Sequence, residues 1–214
     1  SEIGTITFAS LCGCMVPIDA NGMPLRKCML WIDKRAEDQC PVVLEQIDDS
    51  EAFTLIGSPV SATIRCIKIM SVRENEPEIY EKAAYFLDAG EYMVEWLTGE
   101  VVTDYGHASI TGLYDVTTRE YSKKMLDITG IPVEKLPPVK AASEIAGTVS
   151  GIASEKTGLS METQITVGSG DQFMATMGSG IIDPGNGFFH PFIQYLSGFG
   201  KTERFTVPIK KRIP

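Results

Sequence analysis

The chain has 214 residues, 43% hydrophobic and 22% charged, which is apolar material enough for one large domain or one and a half small ones. Its 28 acidic residues against 19 basic give a formal net charge of −9, and this argues against a nucleic-acid or anionic-membrane partner, since both draw basic surfaces. No stretch reaches the roughly 18–20 consecutive apolar residues of a membrane helix.

The early apolar run from Phe8 to Ile18 is interrupted by Gly13 and Pro17 and lacks a basic leader, so it does not read as a signal peptide. Five cysteines, an odd and sparse set, indicate reduced thiols and a cytoplasmic protein. Cys12 and Cys14 resemble half of a zinc site, but the only histidines are His107 and His190 and no second close cysteine pair exists. Two buried free thiols are the better reading, and no metal site is expected. The chain opens at Ser1 and enters a strand almost at once, so preceding sequence is expected to be missing.

In chain order, residues 3–9 read as a strand. Met15–Ile18 and Pro24–Ile32 read as a hairpin turning on Asn21-Gly22, whose residues tolerate positive φ, with pairing from Leu25 onward because Pro24 has no N–H. From Asp33 the pattern turns helical, with Ala36, Cys40, Val43, Leu44 and Ile47 near one face and Pro41 kinking or restarting the helix. Residues 50–98 are helix-rich. Pro77 suits a first helical turn with Asn75 as cap, and Tyr92, Met93, Trp96 and Leu97 form an amphipathic face that ends at Gly99. The last third alternates: strand 145–149, helix 152–157, strand 163–167, glycine turn, helix from Asp171. Such alternation argues an α/β layered domain. One boundary is expected after Pro184, dividing residues 1–184 from a tail of 185–214 with a basic end.

Two short constellations carry candidate chemistry. Gly168-Ser169-Gly170-Asp171-Gln172 sits between a strand and a helix, where glycines admit a ligand close to the backbone and an Asp can take a proton from a hydroxyl; Asp171 can equally serve as a helix cap. In Trp31-Ile32-Asp33-Lys34-Arg35-Ala36, Trp31 suits either a sugar-stacking wall or core packing, and Asp33 either a hydroxyl acceptor or a cap.

Taken in order, these two segments, Glu74-Asn75-Glu76-Pro77, Leu97-Thr98-Gly99-Glu100, Asp104-Tyr105-Gly106-His107-Ala108-Ser109, Gly130-Ile131-Pro132 and Leu136-Pro137-Pro138 resemble the FGGY carbohydrate kinases from about residue 3 to 184. The resemblance implies an actin-like, ribonuclease-H-like α/β fold, of which this chain is part of the first domain. It implies ATP and Mg2+ as cofactors and a small sugar or polyol as substrate, with a homodimer among the assemblies it allows. It assigns Asp171 as general base and Trp31, Asp33 and Gln172 as substrate contacts, and it places Gly168 and Gly170 toward the nucleotide.

Three departures stand out. The family's Asp-Gly-Thr phosphate hairpin and the glycine-rich motifs of its second domain are absent. Phe192-Ile193-Gln194-Tyr195-Leu196-Ser197-Gly198 resembles a piece of that second domain arriving early, which points to missing sequence near 184–190. Leu11-Cys12-Gly13 stands where the family shows Gln-Arg-Glu or Gln-Met-His, so polar grips on the substrate are lost. A non-catalytic relative of the fold is therefore the alternative reading.

Overall fold

The computed structural model describes residues 2–180, so the boundary after Pro184, the Phe192–Gly198 likeness and the basic tail lie outside the described residues. Contacts divide the chain into two compact units, Ser1–Asp171 and Gln172–Pro214. The account below is of the first.

The predicted first strand is two short pieces, β1 (Thr5–Ile6) and β2 (Ala9–Ser10), followed by β3 (Val16–Ile18). Next come α1 (Gln39–Leu44), α2 (Asp49–Ile56), α3 (Arg65–Asn75), α4 (Pro77–Lys82), β4 (Tyr85–Leu87) and α5 (Ala89–Thr98). Then follow β5 (Thr103–Asp104), α6 (Tyr105–Ser109), β6 (Tyr114–Asp115), β7 (Glu120–Tyr121), α7 (Lys123–Thr129), a 3-10 turn at Val133–Lys135 and β8 (Val139–Lys140). The described chain ends with β9 (Ile145–Thr148), α8 (Gly151–Thr157), β10 (Gln164–Thr166), β11 (Ser169–Gly170) and α9 (Asp171–Gly178).

First and last strands run together. β1 lies parallel to β10 with Ile6 opposite Ile165, and β2 lies parallel to β11 with Gly170 opposite Ser10. The ribbon breaks between these pairs because the N–H groups of Val167 and Gly168 turn away to the carbonyls of Glu144 and Ala142, each at 3.0 Å. Gly168 takes φ +73°, and a Cβ there would sit 2.5 Å from the Phe8 carbonyl oxygen, so only glycine fits this crossing.

Several expectations need correcting. The β9–α8–β10 alternation belongs to an α/β domain as expected, but β9 and β10 are antiparallel and not the parallel pair of a βαβ unit. The hairpin around Asn21-Gly22 exists only as the isolated bridges Met15–Met29 and Ile18–Pro24, and β3 makes its ladder with β4 instead. Asp19 organises that turn by accepting from the N–H of Asn21 (2.8 Å) and Met23 (2.9 Å), and of the two turn residues Gly22 alone takes positive φ. Helix does not begin at Asp33. Residues 33–34 have no regular structure, 35–38 are turns, and α1 opens at Gln39 so that Pro41, which lacks an N–H, falls in the first turn, where that donor has no intrahelical partner. Leu44 is exposed, while Ala36, Cys40, Val43 and Ile47 are buried as expected. The N-cap of α4 is Glu76 and not Asn75, whose amide donates back to the Ser71 carbonyl at 2.9 Å.

The helical half packs around α3, whose Cys66, Ile67, Ile69, Met70 and Val72 sit in the largest apolar cluster. A second cluster joins Val94 and Leu97 of α5 to Ile165, Val167 and Ala153, with Trp96 half-buried against it. α5 is well specified locally: Asp88 and Glu91 form a capping box, and Gly99 ends the helix at φ +80°.

Candidate functional site

β2 and β11 run parallel and stop at the same edge, so Leu11–Gly13 continues from one strand beside Asp171 on the other. In open α/β folds, ligands bind outside the carboxyl ends of parallel strands. Cys12 lies close enough to Asp171 to feel its charge. Gly13 takes φ +79°, and its N–H donates to Asp88 Oδ2 at 2.8 Å. A Cβ on Gly13 would stand 2.7 Å from the Thr63 carbonyl oxygen and 3.5 Å from the Cβ of Trp31. Trp31 is therefore beside this edge, and at 38% exposure it is not a core residue. Leu11, Leu30 and Ile32 are exposed as well.

Beneath the two strands lies a buried proton-bearing cluster. His107 Nδ1 donates to Asp104 Oδ1 at 2.6 Å, and its Nε2 lies 3.2 Å from Ser10 Oγ on β2. Asp104 Oδ2 accepts from Ser169 Oγ of β11 at 2.5 Å and from the Gly106 N–H at 2.8 Å. One imidazole–carboxylate pair thus ties together the strands that lead to Cys12 and to Asp171. Burial alone would drive the His107 pKa down; the hydrogen bond to Asp104, with Cys12 and Glu91 nearby, holds it well above the usual histidine value. Burial likewise works against ionised Asp104, but its bonds from His107 and Ser169 outweigh it and keep the carboxyl below its ordinary value. Burial pushes the Cys12 thiol up, against the hydrogen bond and charge of His107.

A second buried network fixes the other wall. Arg65 is fully buried and donates from Nη1 to Glu91 Oε2 (2.9 Å) and from Nη2 to Glu91 Oε1 and Asp88 Oδ2 (both 3.1 Å). Thr103 donates its hydroxyl to Glu91. Asp88 therefore joins Gly13, the start of α5 and Arg65. Burial raises the Asp88 pKa despite the arginine. Lys68, one turn after Arg65 and also fully buried, donates to the carbonyls of Ala62 (2.5 Å) and Thr63 (3.0 Å). Burial brings its pKa down to about 8.

Among the residues singled out from sequence, Asp33 does not cap α1. Its carboxylate accepts from Arg35 Nε (3.0 and 3.1 Å) and Nη2 (2.6 Å), and the guanidinium bonds hold its pKa down at about 2. The space at Gly168 is taken by the backbone of Phe8, and Gly170 lies inside β11. Gln172 follows Asp171 in α9 and belongs to the second unit. All five cysteines are free, and among the described residues no group of three His, Cys, Asp or Glu side chains is gathered to hold a metal. Cys14 is buried as expected, whereas Cys12 is only half-buried.

Arg65, Lys68, Asp88 and Glu91 escaped the sequence reading, and Asp104 and His107 entered it only within a family motif, without a role. The signal for some was present: Asp88-x-x-Glu91 ahead of an apolar run is a capping box, and Arg65 and Lys68 interrupt the apolar run 64–72 at i, i+3 spacing, as functional or paired cations do.

Residues 1–178 match the model of the FGGY family of carbohydrate kinases, N-terminal domain. The chain is 28% identical over 184 residues to a gluconokinase of Bacillus subtilis, covering 86% of this chain and 36% of that protein. It superposes with a TM-score of 0.80 on the xylulose kinase of Rhodospirillum rubrum, at 24% identity, over 85% of this chain and 37% of that one. A TM-score of 0.78 and 25% identity relate it to the glycerol kinase of Plasmodium falciparum with ADP, over 86% and 37%. The expected actin-like α/β fold, as part of a first domain, is thus the one observed. The chain spans just over a third of the length of these proteins, and it belongs to the FGGY family of carbohydrate kinases through that family's N-terminal domain.

Proposed function

We propose that this chain is the sugar-binding part of an ATP- and magnesium-dependent carbohydrate kinase. The observation that carries the reading is the family match over residues 1–178 together with the register that sets Asp171 abreast of Leu11–Gly13 at the carboxyl ends of parallel strands. Asp171 is the general base: it takes the proton of the substrate hydroxyl as that oxygen attacks the terminal phosphorus of ATP. Trp31 offers an apolar face for the C–H side of a sugar, and Asp33 keeps lone pairs for a hydroxyl beside Arg35. The buried His107–Asp104 pair and the Arg65 network hold the edge rigid, so that positioning supplies much of the rate. Magnesium would come with the nucleotide phosphates and neutralise their charge. The ADP-bound glycerol kinase among the similar structures supports the choice of nucleotide. Free thiols throughout support a cytoplasmic location.

Leu11, Cys12 and Gly13 present little hydrogen-bonding capacity, so discrimination among hydroxyl patterns is weak and pentuloses are preferred over glycerol. The test is ADP release by the whole reading frame that carries this chain, over a panel of sugars and polyols, with Asp171→Asn alongside. Asn keeps the shape, so stability changes by less than about 1 kcal/mol, while kcat falls by about 10²–10⁴-fold, the usual worth of a positioned base. Turnover above about a tenth of wild type would remove Asp171 from the mechanism. A panel in which no compound releases ADP would favour the non-catalytic reading, to which Leu11-Cys12-Gly13 lends itself.

A further inference from the structure

Two thiols lie outside the chemistry above. Cys14 directly follows Gly13 and is fully buried, while Cys28 is half-buried. Between them, Met15 and Met29 exchange both backbone bonds, Met15 N–H to Met29 O at 2.9 Å and Met29 N–H to Met15 O at 3.0 Å. Side chains alternate across such a pair, so Cys14 and Cys28 fall on the same face, diagonally across the two strands. The two side chains lie near enough to perturb each other's ionisation, and the Cys28 thiol donates to the Met29 carbonyl at 3.5 Å.

This mutual effect is unequal. The Cys14 side chain, against the opposing effect of burial and with help from the Met15 backbone and Arg26, draws the Cys28 pKa down to about 7. Cys14 is driven upward by Cys28 and by burial. The other thiols go the opposite way: burial raises Cys12 and Cys40, and Cys66 reaches about 12. Cys28 is thus the half-buried and more readily ionised thiol and Cys14 the fully buried one behind it, the arrangement of an attacking and a resolving cysteine.

We propose that Cys14 and Cys28 form an oxidisable dithiol site that reacts with hydroperoxides to give a Cys14–Cys28 disulfide. The Cys28 thiolate attacks the terminal peroxide oxygen, the O–O bond breaks, and the alkoxide or hydroxide leaves and takes a proton from water. Cys28 is then a sulfenic acid. The Cys14 sulfur attacks the Cys28 sulfur, the S–S bond forms, and the hydroxyl departs with the Cys14 proton as water. Two thiols lose two electrons, and one peroxide gains them. The cross-strand contact here is a single isolated bridge, so nothing in a longer ladder opposes the approach of about 1 Å that a diagonal pair needs to reach disulfide distance.

The test needs no kinase activity. The chain is exposed at pH 7 to one equivalent of hydrogen peroxide, quenched with iodoacetamide and digested with trypsin without reduction. Arg26 and Lys27 lie between the two cysteines, so the expected product is peptide 1–26 joined to peptide 28–34. Cys12 shares the first peptide with Cys14, so the link must persist in Cys12→Ser and vanish in Cys14→Ser. A link that survives Cys14→Ser, sulfinic acid on Cys28 with no link, or five thiols left intact would each overturn the proposal. A second readout is the pH midpoint for iodoacetamide labelling of Cys28, expected near about 7. In Cys14→Ser it should rise by more than about one pH unit, toward the value of a free cysteine. An unmoved midpoint would show that Cys14 does not perturb Cys28.

Discussion

Arg65→Met tests whether the buried charges behind Gly13 act as one unit. The substitution keeps most of the volume of a fully buried side chain but removes three bonds to carboxylates, one of 2.9 Å and two of 3.1 Å. Asp88 and Glu91, at 0% and 3% exposure, are left without their cation. Removing one partner of a buried ion pair costs about 3–5 kcal/mol. The lower part of that range applies, because Asp88 still accepts from the N–H of Gly13 (2.8 Å) and Ala89 (2.7 Å), and Glu91 from the N–H of Asp88 (2.6 Å). The expected loss is about 3–4 kcal/mol at pH 7.5, a fall in Tm on the order of 10 °C for a chain of this size. The loss also depends on pH. Burial raises the native pKa of Asp88, and without Arg65 it rises further. A raised carboxyl binds its proton more tightly folded than unfolded, so the cost of ionising it is present above the native pKa and fades as pH falls toward the unfolded value near about 3.9. Urea unfolding of wild type and variant between pH 7.5 and 5 should show the gap narrowing on acidification. A gap below about 1 kcal/mol, or one independent of pH, would refute the view that Arg65 offsets the burial of these carboxyl groups.

Lys68 gives the complementary titration. Its folded pKa of about 8 lies below the ordinary lysine value near about 10.4, so the folded state carries a penalty at neutral pH that disappears as pH rises through that window. Wild type should therefore gain stability relative to Lys68→Met between pH 8 and 10, and a flat difference would mean the ammonium is not desolvated. Gly13→Ala forces a side chain into φ +79° and sets its Cβ 2.7 Å from a Thr63 carbonyl that Lys68 already anchors. The left-handed backbone alone costs about 1–2 kcal/mol, so thermal unfolding should show at least that loss; a change under about 0.5 kcal/mol would mean the Thr63 loop yields freely.

Much of the local structure was written in the sequence, because its causes are short-range. Gly99 ends α5 in the left-handed conformation, Pro77 opens α4, and strands and helix fall near 145–149, 151–157 and 164–166 as their patterns require. Likewise the ordered set of short motifs was enough to reach the family. Tertiary structure alone decided the pairing. Nothing local to Ile145–Thr166 states that β9 and β10 run antiparallel, or that β3 prefers β4, more than sixty residues away, to its own hairpin partner. The same holds for the charges at the site. Arg65, Asp88, Asp104 and His107 are ordinary surface residue types until the fold buries them, and only then must each find a partner or shift its pKa. Burial is a property of the whole packed chain, so the residues that stiffen this edge became legible only once it was folded.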